Sequence, residues 1–147
     1  MFETYIYSMT KSESTYYKFL RLSNQLEDVI KSALKSYDIT HPQLNVLYIL
    51  NEVHPQVMSV KGLKSKMIVN QSDITRLIDR LVNKGLVKRE TCIENRRMVD
   101  LGLTPEGRSI FQKAHLAGKK ASGNFFKDFL SDSETDAFYL TLSKIKL

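Results

Sequence analysis

The sequence predicts a mainly α-helical protein with a small β-hairpin, organised as a single domain over its 147 residues. Three observations carry this prediction. Apolar residues recur at intervals of three and four in several separate segments, the period of amphipathic helices. Between Leu86 and Leu103 the pattern changes to two short runs flanking a charged turn, and the second run alternates, which is the period of a strand. Three prolines and six glycines leave little room for linkers, and 42% hydrophobic content at this length suits one sizeable core.

Each element has its own signal. From Thr15 to Tyr37, the stripe Phe19, Leu22, Leu26, Val29, Ile30, Ala33 and Tyr37 marks one face of a long helix. A second helix starts at Thr40, a capping residue with Pro42 allowed in the first turn, and stops at His54-Pro55. Ser59 caps a short helix through Val60, Leu63 and Met67. Asn70 is then expected to cap a helix over residues 71–83, whose apolar positions Ile74, Leu77, Ile78, Leu81 and Val82 share one side. Its other side presents Ser72, Arg76, Asp79 and Asn83, with Gln71 and Thr75 on the shoulder. Gly85 ends it. Two strands, Leu86 to Cys92 and Met98 to Leu103, form the hairpin. Thr104-Pro105 opens a further helix through Ile110, Phe111, Ala114 and Ala117, with Gly118 and Gly123 as candidate interruptions. Ser131 to Glu134 has the Ser-x-x-Glu spacing of a capping box and starts the last helix.

Several function classes are excluded. The longest apolar run, Val46 to Leu50, is five residues, far below the roughly 20 needed to span a bilayer. The segment from Met1 to Lys11 lacks the basic and apolar regions of a secretory signal, and the lone Cys92 has no intrachain partner, so a soluble protein of the reducing cytoplasm is expected. His41, His54 and His115 fall on three elements without paired spacing, so no metal site is expected. No carboxylate pair, Cys-His pairing or glycine-rich phosphate loop is evident; catalysis and cofactors are not expected.

Charge gives the positive indication. Residues 61–97 hold ten Lys or Arg against four Asp or Glu, while the other 110 residues hold twelve of each. The whole net charge of +6 therefore sits in a quarter of the chain. A concentrated block of that kind makes a field that holds a polyanion, and nucleic acid is the leading partner. A polar, partly basic face on a short helix that follows another short helix is also what major-groove reading requires.

Two short helices followed by a hairpin with a charged tip make a winged helix-turn-helix. The sequence resembles the multiple-antibiotic-resistance regulator (MarR) family over about 65 residues. The resemblance is carried by Thr40-His41-Pro42-Gln43, Ser72-Asp73-Ile74-Thr75-Arg76-Leu77-Ile78-Asp79-Arg80-Leu81, Lys84-Gly85-Leu86-Val87-Lys88-Arg89, Asn95-Arg96-Arg97 and Leu103-Thr104-Pro105-Glu106-Gly107. It implies a DNA-binding lobe over residues 40–104, flanked by dimerisation helices over 11–37 and 105–147. It further implies a homodimeric transcription regulator, a repressor in the favoured reading, bound to double-stranded DNA at a near-palindromic operator. In the family, effectors sit between the dimerisation helices and the DNA-binding lobe. An interaction module that binds protein instead of DNA is the alternative, and a basic block argues against it.

The resemblance assigns roles by position. Gln71, Ser72, Thr75 and Arg76 are the candidates for reading bases. Asn95, Arg96 and Arg97 form the wing, where a guanidinium suits a narrow A·T-rich minor groove. Lys64, Lys66 and Lys88 are candidate phosphate contacts. Tyr16, Tyr17, Phe19, Tyr37 and Tyr48 are candidates to line a small-molecule effector space; as ordinary core aromatics they would need no ligand. Arg76 has a plainer reading too, an intrahelical pair with Asp79, and the lysines and Arg97 have that of a solvated surface. Two departures from the family pattern stand out. Asn95 replaces the wing aspartate, and Met67-Ile68-Val69 replaces the glycine-containing turn between the two short helices.

Overall fold

The computed structural model describes residues 9–68, 73–91 and 99–145. The protein is mostly helical with a small three-stranded antiparallel sheet. Helix α1 spans Lys11–Leu34 and begins earlier than its apolar stripe predicts. The reason is a capping box at Thr10: its hydroxyl accepts from the Glu13 amide at 3.2 Å, and the Glu13 carboxylate accepts from the Thr10 amide at 2.7 Å. A 3-10 turn, Lys35–Tyr37, follows and ends at Asp38 in the left-handed region, φ 51°.

Helix α2, His41–Val53, starts as expected at a Thr40 capping box with Gln43, and Pro42 lies in its first turn. A two-residue strand β1, Met58–Ser59, precedes helix α3, Val60–Lys66, in which the Ser59 hydroxyl accepts from the Gly62 amide at 3.1 Å. Helix α4 is Ile74–Asn83. Its cap is Asp73, whose carboxylate accepts from the Arg76 amide at 3.0 Å, and not Asn70, so the helix starts later than expected. Asn70 and the rest of 69–72 lie outside the described residues. Gly85, at φ 69°, ends the run as expected: its amide donates to the Val82 carbonyl and the Leu86 amide to the Leu81 carbonyl.

Strands β2, Val87–Thr91, and β3, Val99–Leu103, pair with Val87 opposite Leu103 and Thr91 opposite Val99. β1 joins the far edge of β3, Met58 opposite Leu101, giving the order β1-β3-β2. This third strand was not predicted: two residues show no alternation. Cys92 and the hairpin tip, residues 92–98, lie outside the described residues. Helix α5, Pro105–Phe129, runs through Gly118 and Gly123 without interruption. Gly107 in its first turn is required by close approach, since an added Cβ would lie 1.9 Å from the Leu86 carbonyl oxygen. The same corner is fastened by Thr104, whose amide donates to the Leu86 carbonyl and whose hydroxyl donates to the Gly85 carbonyl and accepts from the Gly107 amide. Helix α6, Asp132–Leu142, begins at the expected Ser131–Glu134 capping box.

Residues 33–120 form one compact unit, and residues 1–32 with 121–147 another. The first has a continuous apolar core built on Leu34, Leu47, Leu50, Leu63, Ile78, Leu81 and Leu101. Each such side chain contributes about 1.5 to 3 kcal/mol on burial. The second unit has no buried side chain among its described residues. Its α1, α5 and α6 segments leave a groove of about 590 Å³ lined by Leu22, Phe125, Phe126, Phe129, Leu130 and Phe138.

Candidate nucleic-acid interface

Helix α4 is the centre of the candidate interface. Ile74, Leu77, Ile78 and Leu81 are buried, which fixes the rotation of the helix on the core and leaves Thr75, Arg76 and Arg80 exposed. Arg76 pairs with Asp73 at 3.1 Å and not with Asp79, yet its side chain keeps 78% exposure, so the pair orients the guanidinium without hiding it. Asp79 instead pairs with Arg89 of β2, tying the outer side of α4 to the strand that leads into the hairpin tip. Lys84, just past the helix, holds both the carboxylate of Asp38, at 2.9 Å, and its backbone carbonyl. These two tethers are not legible in the sequence, because one joins Lys84 to an acid 46 residues away and the other joins two different elements, α4 and β2.

The pairing sorts the basic block. Arg76, Lys84, Lys88 and Arg89 each have an acidic partner. Lys61, Lys64, Lys66 and Arg80 have none among the described residues and are exposed. Lys64 and Lys66 occupy the last turn of α3, where a cation also complements the helix dipole. Lys88 lies with its stem over Gly102 of β3, and Glu90, two residues along on the same strand face, takes part of its charge. A cleft of about 310 Å³ lies between the start of α2 and α4, lined by Thr40, Pro42, Asp73, Arg76, Leu77 and Arg80. Two guanidinium groups on its rim make it suitable for a phosphate-sized anion.

Of the predicted base-reading residues, Thr75 and Arg76 are brought together on the exposed side of α4, whereas Gln71 and Ser72 lie outside the described residues. So do the wing residues Asn95, Arg96 and Arg97. Among the effector candidates, Tyr16, Tyr17 and Phe19 are exposed in the helical unit, with the two tyrosine rings 5.1 Å apart. Tyr37 and Tyr48 belong to the winged unit, where Tyr48 contacts the rings of Phe111 and His115 at 6.0 and 5.6 Å. Tyr16, Tyr17, Phe19 and Tyr48 are not core residues of the single chain. Among the described residues, no helix is long and apolar enough to cross a membrane.

Sequence reasoning missed one residue that shapes this surface. Asn45 lies in the apolar α2, is 8% exposed, and accepts a hydrogen bond from the Ile68 amide at 2.9 Å. A buried amide in an otherwise apolar helix is a visible signal; its partner, 23 residues on, is not.

Comparison with known proteins decides the family. A sequence profile of the MarR family matches residues 39–99. MdtR, an HTH-type transcriptional repressor of Bacillus subtilis (strain 168), is 32% identical over 113 residues, which cover 77% of this chain and 71% of MdtR. The chain belongs to the MarR family. The crystal structure of wild-type MarR from E. coli in its apo form superposes with a TM-score of 0.72 at 27% identity, covering 88% of this chain and 96% of that one. BpsR of Bordetella bronchiseptica shares the fold, with a TM-score of 0.78 at 20% identity over 92% of this chain and 95% of that one. As a MarR-family winged helix-turn-helix protein, the chain is a DNA-binding transcriptional regulator.

Proposed function

We propose that the protein is a homodimeric repressor that binds a near-palindromic operator and is released by a small ligand or an environmental signal. The observation that carries this reading is the division of α4. Ile74, Leu77, Ile78 and Leu81 of its apolar side are buried, while Thr75, Arg76 and Arg80 stand exposed in the unit that bears all of the chain's net positive charge. Thr75 and Arg76, with Gln71 and Ser72 before them, read base edges. Asn95, Arg96 and Arg97 reach the minor groove, and Lys64, Lys66 and, to a lesser degree because of Glu90, Lys88 neutralise phosphates. The second copy enters because the groove lined by Phe125, Phe126, Phe129 and Phe138 is too apolar to face water. Two copies set two recognition helices a fixed distance apart, which asks for an inverted repeat.

Release by a ligand rests on the exposed aromatic residues Tyr16, Tyr17, Phe19 and Tyr48, with the half-buried Tyr37. The regulation of DNA binding of BpsR by 6-hydroxynicotinic acid is a precedent of the same fold. The reading of MdtR as a repressor supports the sign of the regulation. Selection of bound fragments from a random duplex library tests the proposal. The expected product is an inverted repeat whose affinity falls steeply with salt, as several phosphates are neutralised; recovery of no enriched sequence, or a flat salt response, contradicts it.

A further inference from the structure

We propose that Asn45 is a positioning residue for base reading, which fixes through the Ile68 amide where the chain leaves α3 on its way into the recognition helix. The inference rests on the DNA-binding reading above and extends it to a buried residue of α2.

The segment between α3 and α4 contains no glycine, the residue that most readily turns a chain through positive φ. Met67 is extended, with φ −63° and ψ 124°, and its amide reaches the Lys64 carbonyl at a long 3.4 Å. The next side chain, Ile68, is 84% exposed, so packing does not hold it either. What does hold this residue is the 2.9 Å bond from its amide to Oδ1 of Asn45. Asn45 itself is rigid: it lies in the middle of α2, between Leu44 and Val46, both buried. Burying an amide is unfavourable unless it is hydrogen-bonded, so a position facing the core would ordinarily carry an aliphatic residue. The amide here instead links a fixed helix to the second residue past the end of α3. From Ile68 the chain has only a few residues before Asp73 caps α4, and Gln71, Ser72, Thr75 and Arg76 all lie within eight residues of that anchor. A shift at Ile68 therefore passes into the placement of those side chains, while Leu77, Ile78 and Leu81 keep the helix body on the core.

The test uses the full chain as wild type, Asn45→Leu and Asn45→Asp, with a duplex recovered by selection on the wild type and a scrambled duplex of equal length. Asn45→Leu removes the acceptor and leaves an apolar helix face; Asn45→Asp keeps an acceptor oxygen. Asn45→Leu is expected to melt at or above the wild-type temperature, to lose at least about tenfold in affinity for the selected duplex, and to bind the scrambled duplex as the wild type does. Its Ile68 amide is expected to exchange with solvent faster, and Asn45→Asp is expected to restore most of the discrimination. Should Asn45→Leu not fold, Asn45→Ala, which adds no volume, is held to the same outcomes. If the folded variant discriminates as well as the wild type, or weakens on both duplexes equally, the positioning role is overturned and the DNA-binding reading stands. A wild type that enriches no sequence overturns both.

Discussion

The two compact units of this chain solve the burial problem differently. Residues 33–120 hold every buried apolar side chain described, and fifteen basic residues against eight acidic ones. Residues 1–32 and 121–147 have seven basic against eight acidic residues and no buried side chain among those described, with Phe129 at 72% and Tyr139 at 69% exposure. One unit is completed by its own sequence. The other has amphipathic helices whose apolar faces the single chain leaves partly exposed, and on our proposal a second copy covers them. Charge follows the same division: the self-sufficient unit presents cations to a polyanion, and the unfinished one is nearly neutral.

The difference can be broken at its strongest point first. Leu81→Ala removes a side chain at 0% exposure from the winged core and is expected to lower the unfolding free energy by about 2 to 5 kcal/mol, measured by urea titration at fixed protein concentration. A cost near zero would mean that the winged unit has no self-contained core. Phe129→Asp, in the helical unit, is expected to act on association instead, weakening self-association about a hundredfold, close to 3 kcal/mol. Sedimentation over a dilution series reads this, and an unchanged dimer would remove that face from the interface. Gly107→Ala is expected to cost about 1 to 3 kcal/mol in a thermal melt, because its Cβ would meet the Leu86 carbonyl; a wild-type melting temperature would show that the corner yields freely.

The smallest expected effect is on pH. The Ser131 amide, then its hydroxyl, hold the Glu134 carboxyl below the usual carboxylate range, and the Thr10 amide and hydroxyl do the same for Glu13. A depressed folded-state value means that the stabilisation is present above the unfolded value and is lost as pH falls through the folded one. Both capping boxes belong to the helical unit, so the starts of α1 and α6 are expected to fray on acidification below about pH 4. Amide exchange at Thr10 and Ser131 measures this. Glu134→Gln keeps an uncharged acceptor, and the protection of the Ser131 amide, its exchange rate relative to the free-peptide rate at the same pH, is then expected to lose its fall on acidification.

What was legible in the sequence follows from which interactions are local. The Thr40 cap, the Ser131–Glu134 box, Ser59 before α3 and Gly85 after α4 act within a few residues, and the structure has each where the sequence places it. The Thr10–Glu13 box is equally local but lies ahead of the apolar stripe, which begins later and so does not mark the start of the helix. At α4, Asn70 and Asp73 are both good caps by residue type; the helix starts at Ile74, so Asp73 is its cap, and the same carboxylate pairs with Arg76. Features that join distant residues were not visible: β1 depends on Leu101 and Asp100, Gly107 on the Leu86 carbonyl, Arg89 on Asp79, and Asn45 on Ile68. For the site, the exposed positions of Thr75 and Arg76 followed from helical period alone. Which cations of the block stay unpaired did not, since that depends on acids brought close by the fold.

On our proposal, a self-contained winged unit reads DNA while an incomplete helical unit supplies the contact to a second copy. The most direct measurement is the mass of the complex formed on a selected duplex, by sedimentation equilibrium at low salt. Two chains on one inverted repeat, with the protein already dimeric when free, are the predicted result. One chain per duplex, from a protein that is monomeric when free, would contradict the account.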